Sequence, residues 1–160
     1  MTRRLASLFL LGLLPGLAAC GFTPVYSQAG IAESQVEIAT IPGRTGHALR
    51  RELSRELAAG LPGLTSGAQM QVQLDETVGR LAFRPDGAAS RSSITLTAAY
   101  TLRGENQTVE GQARAQSVYN VPDGPYGDVS AQIRATDEAA RALARDIVQD
   151  LRLRVVPEEG

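Results

Sequence analysis

The sequence has few of the residues from which small proteins build disulfides, metal sites and catalytic centres. It contains one cysteine and one histidine, so neither an internal disulfide nor a cysteine-rich zinc site can be formed from it. The histidine, His47, has no second imidazole to join it, and we assign it no function. Serine, tyrosine and aspartate occur between Ser117 and Asp128 without a histidine, which is a poor supply for a hydrolase. The sequence therefore predicts no enzyme activity and no metal site.

Lysine is absent too, and the 16 basic residues are all arginine. The formal net charge is -1, and removal of an N-terminal leader that holds Arg3 and Arg4 changes it to -1 - 2 = -3. Such a domain has no overall basic field, so a nucleic-acid partner is not expected. Any contact with a polyanion would have to be local.

Long apolar runs are lacking except at the N-terminus, where residues 5–17 follow two arginines. A bilayer span needs about 20 apolar residues, and this run is shorter and is broken by Pro15 and Gly16. It is typical of a secretory leader. The residues Leu17 to Cys20 at its end resemble a bacterial lipobox, which implies that residues 1–19 are a lipoprotein signal peptide that is removed. The alternative is an ordinary signal peptide with a cysteine after it by chance.

The lipobox resemblance implies that Cys20 carries a covalent diacylglycerol and an N-acyl chain. Several acyl chains hold a protein stably on a membrane, whereas one alone is marginal. Residues 20–30 then form a short lipidated tether with two aromatic side chains, Phe22 and Tyr26. In bacteria that sort lipoproteins, an aspartate after the lipidated cysteine commonly retains the protein in the inner membrane. Because Gly21 stands there, we expect delivery to the outer membrane.

Periodicity predicts a strand and a helix in the first half of the domain. Val36 and Ile38 alternate with polar or small neighbours between residues 33 and 41, which is typical of a half-buried strand. Leucines at steps of four, from Leu49 to Leu57, predict a helix capped by Thr45 or Gly46 and ended by Gly60 and Pro62.

Alternation returns in three segments that predict an antiparallel meander, near residues 70–83, 92–103 and 107–119. Gly79 indicates a bulge or bend in the first. An apolar stripe predicts a last helix from about Ser130 to Leu153, or from a cap at Thr136. The prediction is one α+β domain over residues 31–155, in the order β-α-β-β-β-α, with a frayed tail at 156–160. Its mainly antiparallel four-stranded sheet carries two helices on one face as a two-layer sandwich.

Several features together resemble one family. These are the segment Gly21-Phe22-Thr23-Pro24-Val25-Tyr26 after the lipobox, the order of elements, the segment Ser117-Val118-Tyr119-Asn120 and the alanine-rich last helix. They resemble the lipopolysaccharide-assembly lipoprotein family LptE, most closely its alphaproteobacterial members. The resemblance covers nearly the whole mature chain.

The resemblance implies a non-enzymatic lipoprotein, anchored on the periplasmic side of the outer membrane, without a cofactor other than its lipid. Its partners would be the LptD-type β-barrel, which it plugs and helps to assemble, and lipopolysaccharide. The candidate barrel-contact residues are Phe22, Tyr26, Tyr119 and Tyr126.

A domain lodged in a barrel should present polar strand faces, because the inside of such a barrel is polar and wet. The sequence offers five polar residues that alternate with the apolar ones: Gln71, Gln73, Thr95, Thr97 and Thr101. Any one of them is equally well explained as a solvated sheet position.

Lipopolysaccharide carries phosphates and acidic sugars, which guanidinium groups bind well. The candidate contacts are Arg84 and Arg91, which flank a predicted turn at Pro85 to Gly87, together with Arg80 and Arg103. We expect the four to converge at one end of the sheet, although a solvated charged turn explains such residues as well. A second hypothesis is a general envelope lipoprotein that binds a small apolar ligand between sheet and helices.

Overall fold

The computed structural model describes residues 35–64 and 66–155 of the chain. These residues form four strands and two helices. In chain order they are β1 (Val36–Ile38), α1 (Gly43–Glu56), β2 (Ala68–Phe83), β3 (Ala89–Arg103), β4 (Thr108–Asn120) and α2 (Pro125–Arg154). This confirms the predicted α+β class and the order β-α-β-β-β-α. The signal peptide, the tether with Cys20, Phe22 and Tyr26, and the tail at 156–160 lie outside the described residues.

The four strands form one sheet in the order β1-β2-β3-β4. Tight turns join β2 to β3 and β3 to β4, and both of these pairs are antiparallel. Strand β1 instead runs parallel to β2, with Val36 beside Ala68. The mainly antiparallel sheet is confirmed, and the one parallel pair follows from α1, because a crossover helix returns the chain to the end from which it started.

Both helices bury their apolar stripes against the same face of the sheet. Leu49 and Leu53 of α1, like Leu143 and Ile147 of α2, are 0% exposed. They join one cluster with the alternate residues of the strands, among them Met70, Ile94, Leu96, Ala98 and Leu102. Within residues 35–64 and 66–155, no helix or strand packs on the opposite face of the sheet, which we call the open face, as expected for two layers with one polar side.

Helix α1 is much shorter than the strand beneath it. At 14 residues it spans about 21 Å, whereas the 16 residues of β2 span about 53 Å. Thr45, in the first turn of α1, donates a hydrogen bond of 2.6 Å to Glu76, halfway along β2. From Glu76 onward α1 no longer covers the strand, and residues 76–83 are all exposed or half-buried.

Two predicted features of the strands are wrong in detail. Strand β1 is only three residues long, because the chain leaves the sheet before the buried Ile41 and turns into α1 after Pro42. Gly79 lies within an unbroken β2, directly opposite Ser93. The register shifts instead between Arg80 and Ala82, where Leu81 has no partner, and again between Ala82 and Phe83.

The helix starts also differ from prediction. Helix α1 begins at Gly43, and Thr45 uses its hydroxyl on Glu76 rather than as a cap. Helix α2 begins at Pro125, without a break at Thr136, because proline fits the first turn of a helix, where its missing N–H is not needed.

Candidate functional site

The candidate arginines lie around the end of the sheet where β2 turns into β3, which we call the hairpin end. Arg84 begins a turn in which the Gly87 N–H donates to the Arg84 carbonyl at 2.9 Å. Asp86 accepts a hydrogen bond from the Ala88 N–H at 2.9 Å, and Gly87 has a φ of 83°, which favours glycine. The end of β4 and the start of α2 lie at the same end, since Arg91 pairs with Asn120.

The Arg84 side chain is bonded to other residues of the domain. Its guanidinium donates a hydrogen bond of 2.5 Å to the Val121 carbonyl and forms an ion pair of 2.9 Å with Asp123. Its side chain is 28% exposed, whereas that of Asp123 is 94% exposed. Arg84 thus ties the β2–β3 turn to the loop before α2, and only part of its charge faces solvent.

Arg80 and Arg91 are both exposed but lie on opposite faces of the hairpin. Arg80 pairs with Ser92, which is buried on the helix side together with Ile94. Arg91 is the neighbour of Ser92 along β3, so its side chain leaves the sheet on the open face. On the helix side, Arg80 and Arg84 line one open cavity of about 430 Å³. The other lining residues include Val78, Tyr119, Val121, Asp128 and Gln132.

Arg103 lies at the other end of the sheet. It pairs with Gln69 at the start of β2 and with Thr108 at the start of β4. Twelve residues of extended chain separate it from Arg91, a distance of about 40 Å. The expectation that four arginines converge is therefore wrong for Arg103, because Arg91 and Arg103 lie at opposite ends of the 15-residue strand β3.

The aromatic candidates differ in exposure. Tyr119 is half-buried, packs against the core and lines the cavity at the hairpin end. Tyr126, in the first turn of α2, is 90% exposed. The role of both as barrel contacts stays a prediction, as do those of Phe22 and Tyr26 outside the described residues.

The sequence reasoning missed an apolar surface at the hairpin end. Leu81 and Phe83, the bulge residue and last residue of β2, are 52% and 60% exposed. Val78 of the same strand, Val118 of β4 and Val129 of α2 are also large exposed apolar residues. The signal in the sequence was the length of the alternating segment 70–83, which exceeds what a helix of 14 residues can cover.

The five polar strand residues do share one face. By the ladder register, Gln71 lies beside Thr101 and Gln73 beside Ala99 on the face that the helices leave open. On β4 the same rows continue with Glu110 and Gln112. All five are exposed or half-buried. Among the described residues the open face is thus largely polar, with Ala99 between Gln73 and Gln112 and the exposed Val118 toward the hairpin end.

The space between sheet and helices is filled by side chains. The residues at this seam, such as Leu96, Leu143 and Ile147, are 0% exposed. Among the described residues, two hydroxyl groups at this seam donate hydrogen bonds to carboxylates of α2: Ser117 to Glu138 at 3.0 Å, and Tyr100 to Asp150. This arrangement does not favour a small apolar ligand at the seam.

Neither a metal site nor a membrane-spanning helix is found among the described residues. Across 35–64 and 66–155, no three histidine, cysteine, aspartate or glutamate side chains come close enough to hold a metal ion. None of the helices in that part of the chain combines the length and apolar character needed to cross a bilayer.

Comparison with known proteins gives a family and a fold. Residues 33–155 match the family model described as LptE, lipopolysaccharide-assembly. A Caulobacter crescentus CB15 protein classed as a lipoprotein has a similar structure, with a TM-score of 0.61 and 24% identity over 76% of this chain and 91% of that one. No curated protein matches the sequence significantly.

Two further structures share the fold. Rare lipoprotein B from Shewanella oneidensis has a TM-score of 0.53 and 8% identity, over 72% of this chain and 89% of its own. A minor lipoprotein from Acinetobacter baumannii has a TM-score of 0.52 and 13% identity, over 76% and 93%. At such low identities these likenesses show the fold alone.

Proposed function

The chain belongs to the LptE lipopolysaccharide-assembly family, and from this we propose that it is a lipid-anchored, non-catalytic assembly partner and plug of an LptD-type barrel in the outer membrane. The observation that carries the proposal is the open sheet face. Its rows of glutamine and threonine on β2 and β3, such as Gln71 beside Thr101, are polar, and the charges that continue these rows on β4, Glu110 and Arg114, are of opposite sign. Such a surface suits the wet, polar wall of a barrel lumen, where every polar group can exchange hydrogen bonds with water or protein.

Co-purification tests this proposal. The tagged full-length chain is expected to bring the barrel with it from solubilised outer membranes. A variant with Gln73→Leu and Thr97→Leu makes the centre of the open face apolar and should lose the barrel while it still folds. The matched control, Arg141→Leu and Arg145→Leu on exposed turns of α2, should retain it. Recovery of the chain without any barrel would contradict the proposal.

The anchor is part of the same proposal. Cys20 would carry the diacylglycerol and the N-acyl chain, and with Gly21 after it the lipoprotein would be delivered to the outer membrane. Labelling with a radioactive or clickable palmitate should mark the chain, and Cys20→Ser should remove the label and release the protein from the membrane fraction. An unlabelled chain in the outer-membrane fraction would contradict the anchor without deciding the role of the domain.

We further propose that the hairpin end contacts lipopolysaccharide. There the exposed Arg80 directly precedes the exposed Leu81, and the exposed Arg91 on the other face pairs with Ala82, which lies between Leu81 and Phe83. Lipopolysaccharide combines anionic phosphates with acyl chains, so cationic forks beside apolar surface match both halves of the molecule. Arg103, at the other end of the sheet, lacks such apolar neighbours on β3 and is the weaker candidate.

Arginine substitutions test this contact. Arg80→Ala with Arg91→Ala should weaken binding of purified lipopolysaccharide several-fold at low salt, because exposed charge pairs are strongest there. Arg84 is left intact, since its removal would also loosen the turn. The control Arg103→Ala with Arg145→Ala removes the same charge from distant sites. Equal losses in both variants would indicate a non-specific charge effect and refute a site at the hairpin end.

A further inference from the structure

Strand β4 has an orderly free edge. It is the last strand of the sheet, and among the residues that the structure describes no strand lies beyond it. The Glu110 carbonyl accepts a hydrogen bond from Arg154 of α2, whereas the Val121 N–H donates back to Ser90 at 3.0 Å. In an antiparallel ladder, successive residues direct their N–H and C=O groups alternately toward one neighbouring strand and the other. Val121, an odd-numbered residue, bonds to β3, so the odd-numbered residues of β4 face β3. The even-numbered residues, such as Glu110, therefore direct their N–H and C=O groups away from the sheet.

The same residues place their side chains on the open face. Along β4 all the even-numbered residues are exposed, and the odd-numbered ones are buried or half-buried. The exposed set in the middle of the strand is Thr108, Glu110, Gln112, Arg114 and Gln116. The strand is 13 residues long and contains no proline, which is the residue that most simply prevents edge pairing.

The charges on this edge are complementary to themselves. If a second copy pairs antiparallel with Gln112 facing Gln112 of the second copy, Glu110 faces the Arg114 of the second copy, and symmetry repeats that pair. Even-numbered residues then face even-numbered residues, so their outward backbone groups exchange hydrogen bonds. Centring the pair on Glu110 or Arg114 would place like charges opposite, which is destabilising.

We propose that β4 is the pairing edge of a two-fold symmetric dimer, centred on Gln112, in which two copies of this chain form one eight-stranded sheet. Arg154 competes with this pairing, because its guanidinium donates a hydrogen bond to the Glu110 carbonyl. That hydrogen bond must break before the carbonyl can accept one from a second strand. The ion pair of 3.3 Å between Arg154 and Asp150 keeps the guanidinium on α2 after the hydrogen bond breaks. This dimer does not depend on the function proposed above.

Disulfide trapping tests the register, with the full-length chain in detergent. Facing residues of a hydrogen-bonded pair have Cα atoms about 5.5 Å apart, within the range of a disulfide. Gln112→Cys should therefore form an oxidised dimer. In the same register two copies of residue 116 lie about 26 Å apart, so Gln116→Cys should not. The parent chain, whose one cysteine is Cys20, is the background control. Equal trapping of both variants, or none of Gln112→Cys, would overturn the proposal.

Charge reversal tests the pairing by a second route, with the dissociation constant measured by sedimentation. Glu110→Arg and Arg114→Glu should each weaken the dimer about ten-fold, since each places like charges opposite at two positions. The double variant restores the pairs and should restore the dimer. The control combines Arg145→Glu with Asp146→Arg on exposed α2 positions and should change nothing. A parent chain that stays monomeric, or a double variant as weak as the single ones, would refute the dimer.

Discussion

The Tyr100 ring lies against Gly111 so closely that no side chain fits between them. A Cβ atom added at residue 111 would lie 2.3 Å from the tyrosine hydroxyl oxygen and 2.5 Å from its Cζ. The hydroxyl donates to the Asp150 carboxylate, which also forms an ion pair of 3.3 Å with Arg154. Because the Arg154 guanidinium in turn donates to the Glu110 carbonyl, this cluster fastens the end of α2 to β3 and β4.

Gly111→Ala should destabilise the domain. The new methyl group would meet the Tyr100 ring, which is 3% exposed and has little room to move. Overpacking of this kind lowers the free energy of unfolding by about 1–3 kcal/mol. Denaturant unfolding measures it. Gly67→Ala is the matched control, since a Cβ at that position meets nothing within 4 Å. Equal stability of the two variants would contradict the close contact.

Alkaline pH should weaken the contribution of this cluster to the free energy of unfolding. Burial, followed by the hydrogen bond to Asp150, raises the pKa of Tyr100 well above its ordinary value of about 10. The unfolded chain then releases this proton at lower pH than the folded one, so the stabilisation is complete below about pH 10 and is lost as the pH rises.

Tyr100→Phe isolates this contribution. Between about pH 8 and pH 11 the free energy of unfolding of the parent should fall further than that of Tyr100→Phe, which has no proton to release. Tyr126→Phe is the control, because that side chain is 90% exposed, and it should follow the parent. Parallel curves for the parent and Tyr100→Phe would show that the hydroxyl is not held in this way.

Periodicity was enough to predict the elements of this domain, because each strand and helix has one apolar side. The alternation in β3 shows which side of the sheet is buried, and the leucines at steps of four in α1 show which side of the helix packs on it. Periodicity does not report how far one element extends over another, and for that reason the exposed positions of Leu81 and Phe83 were missed. Helix α2 begins at Pro125, before the predicted starts at Ser130 or Thr136, because proline is well suited to a first helical turn.

The arginines show the same limit at the level of the site. Sequence proximity correctly placed Arg80, Arg84 and Arg91 near one turn. It did not show that Arg84 would donate a hydrogen bond to the Val121 carbonyl, 37 residues later in the sequence. Nor did it show that Arg80 would pair with Ser92, which places the neighbouring Arg91 on the opposite face of the sheet. These depend on tertiary contacts that no local pattern records.

Arg84→Ala should loosen the loop before α2 without unfolding the sheet. The substitution removes the hydrogen bond to the Val121 carbonyl and the ion pair to Asp123, at a cost of about 1–2 kcal/mol for the partly buried bond. Hydrogen exchange at the Val121 amide, which donates to Ser90, should become several-fold faster. Arg91→Ala removes a neighbouring exposed charge and serves as the control. Faster exchange throughout β3 would instead indicate global destabilisation.

The apolar half of the proposed lipopolysaccharide contact can be tested apart from the charges. Leu81→Ser with Phe83→Ser removes apolar surface that is already more than half exposed, so the free energy of unfolding should change little. Binding of lipopolysaccharide should weaken several-fold, because acyl chains lose the surface that they would cover. Leu153→Ser is the control: this side chain is 79% exposed but lies beside Arg154 at the opposite end of the sheet. If Leu153→Ser weakens binding as much as the double variant does, or if the double variant binds normally, the acyl chains do not dock at the hairpin end.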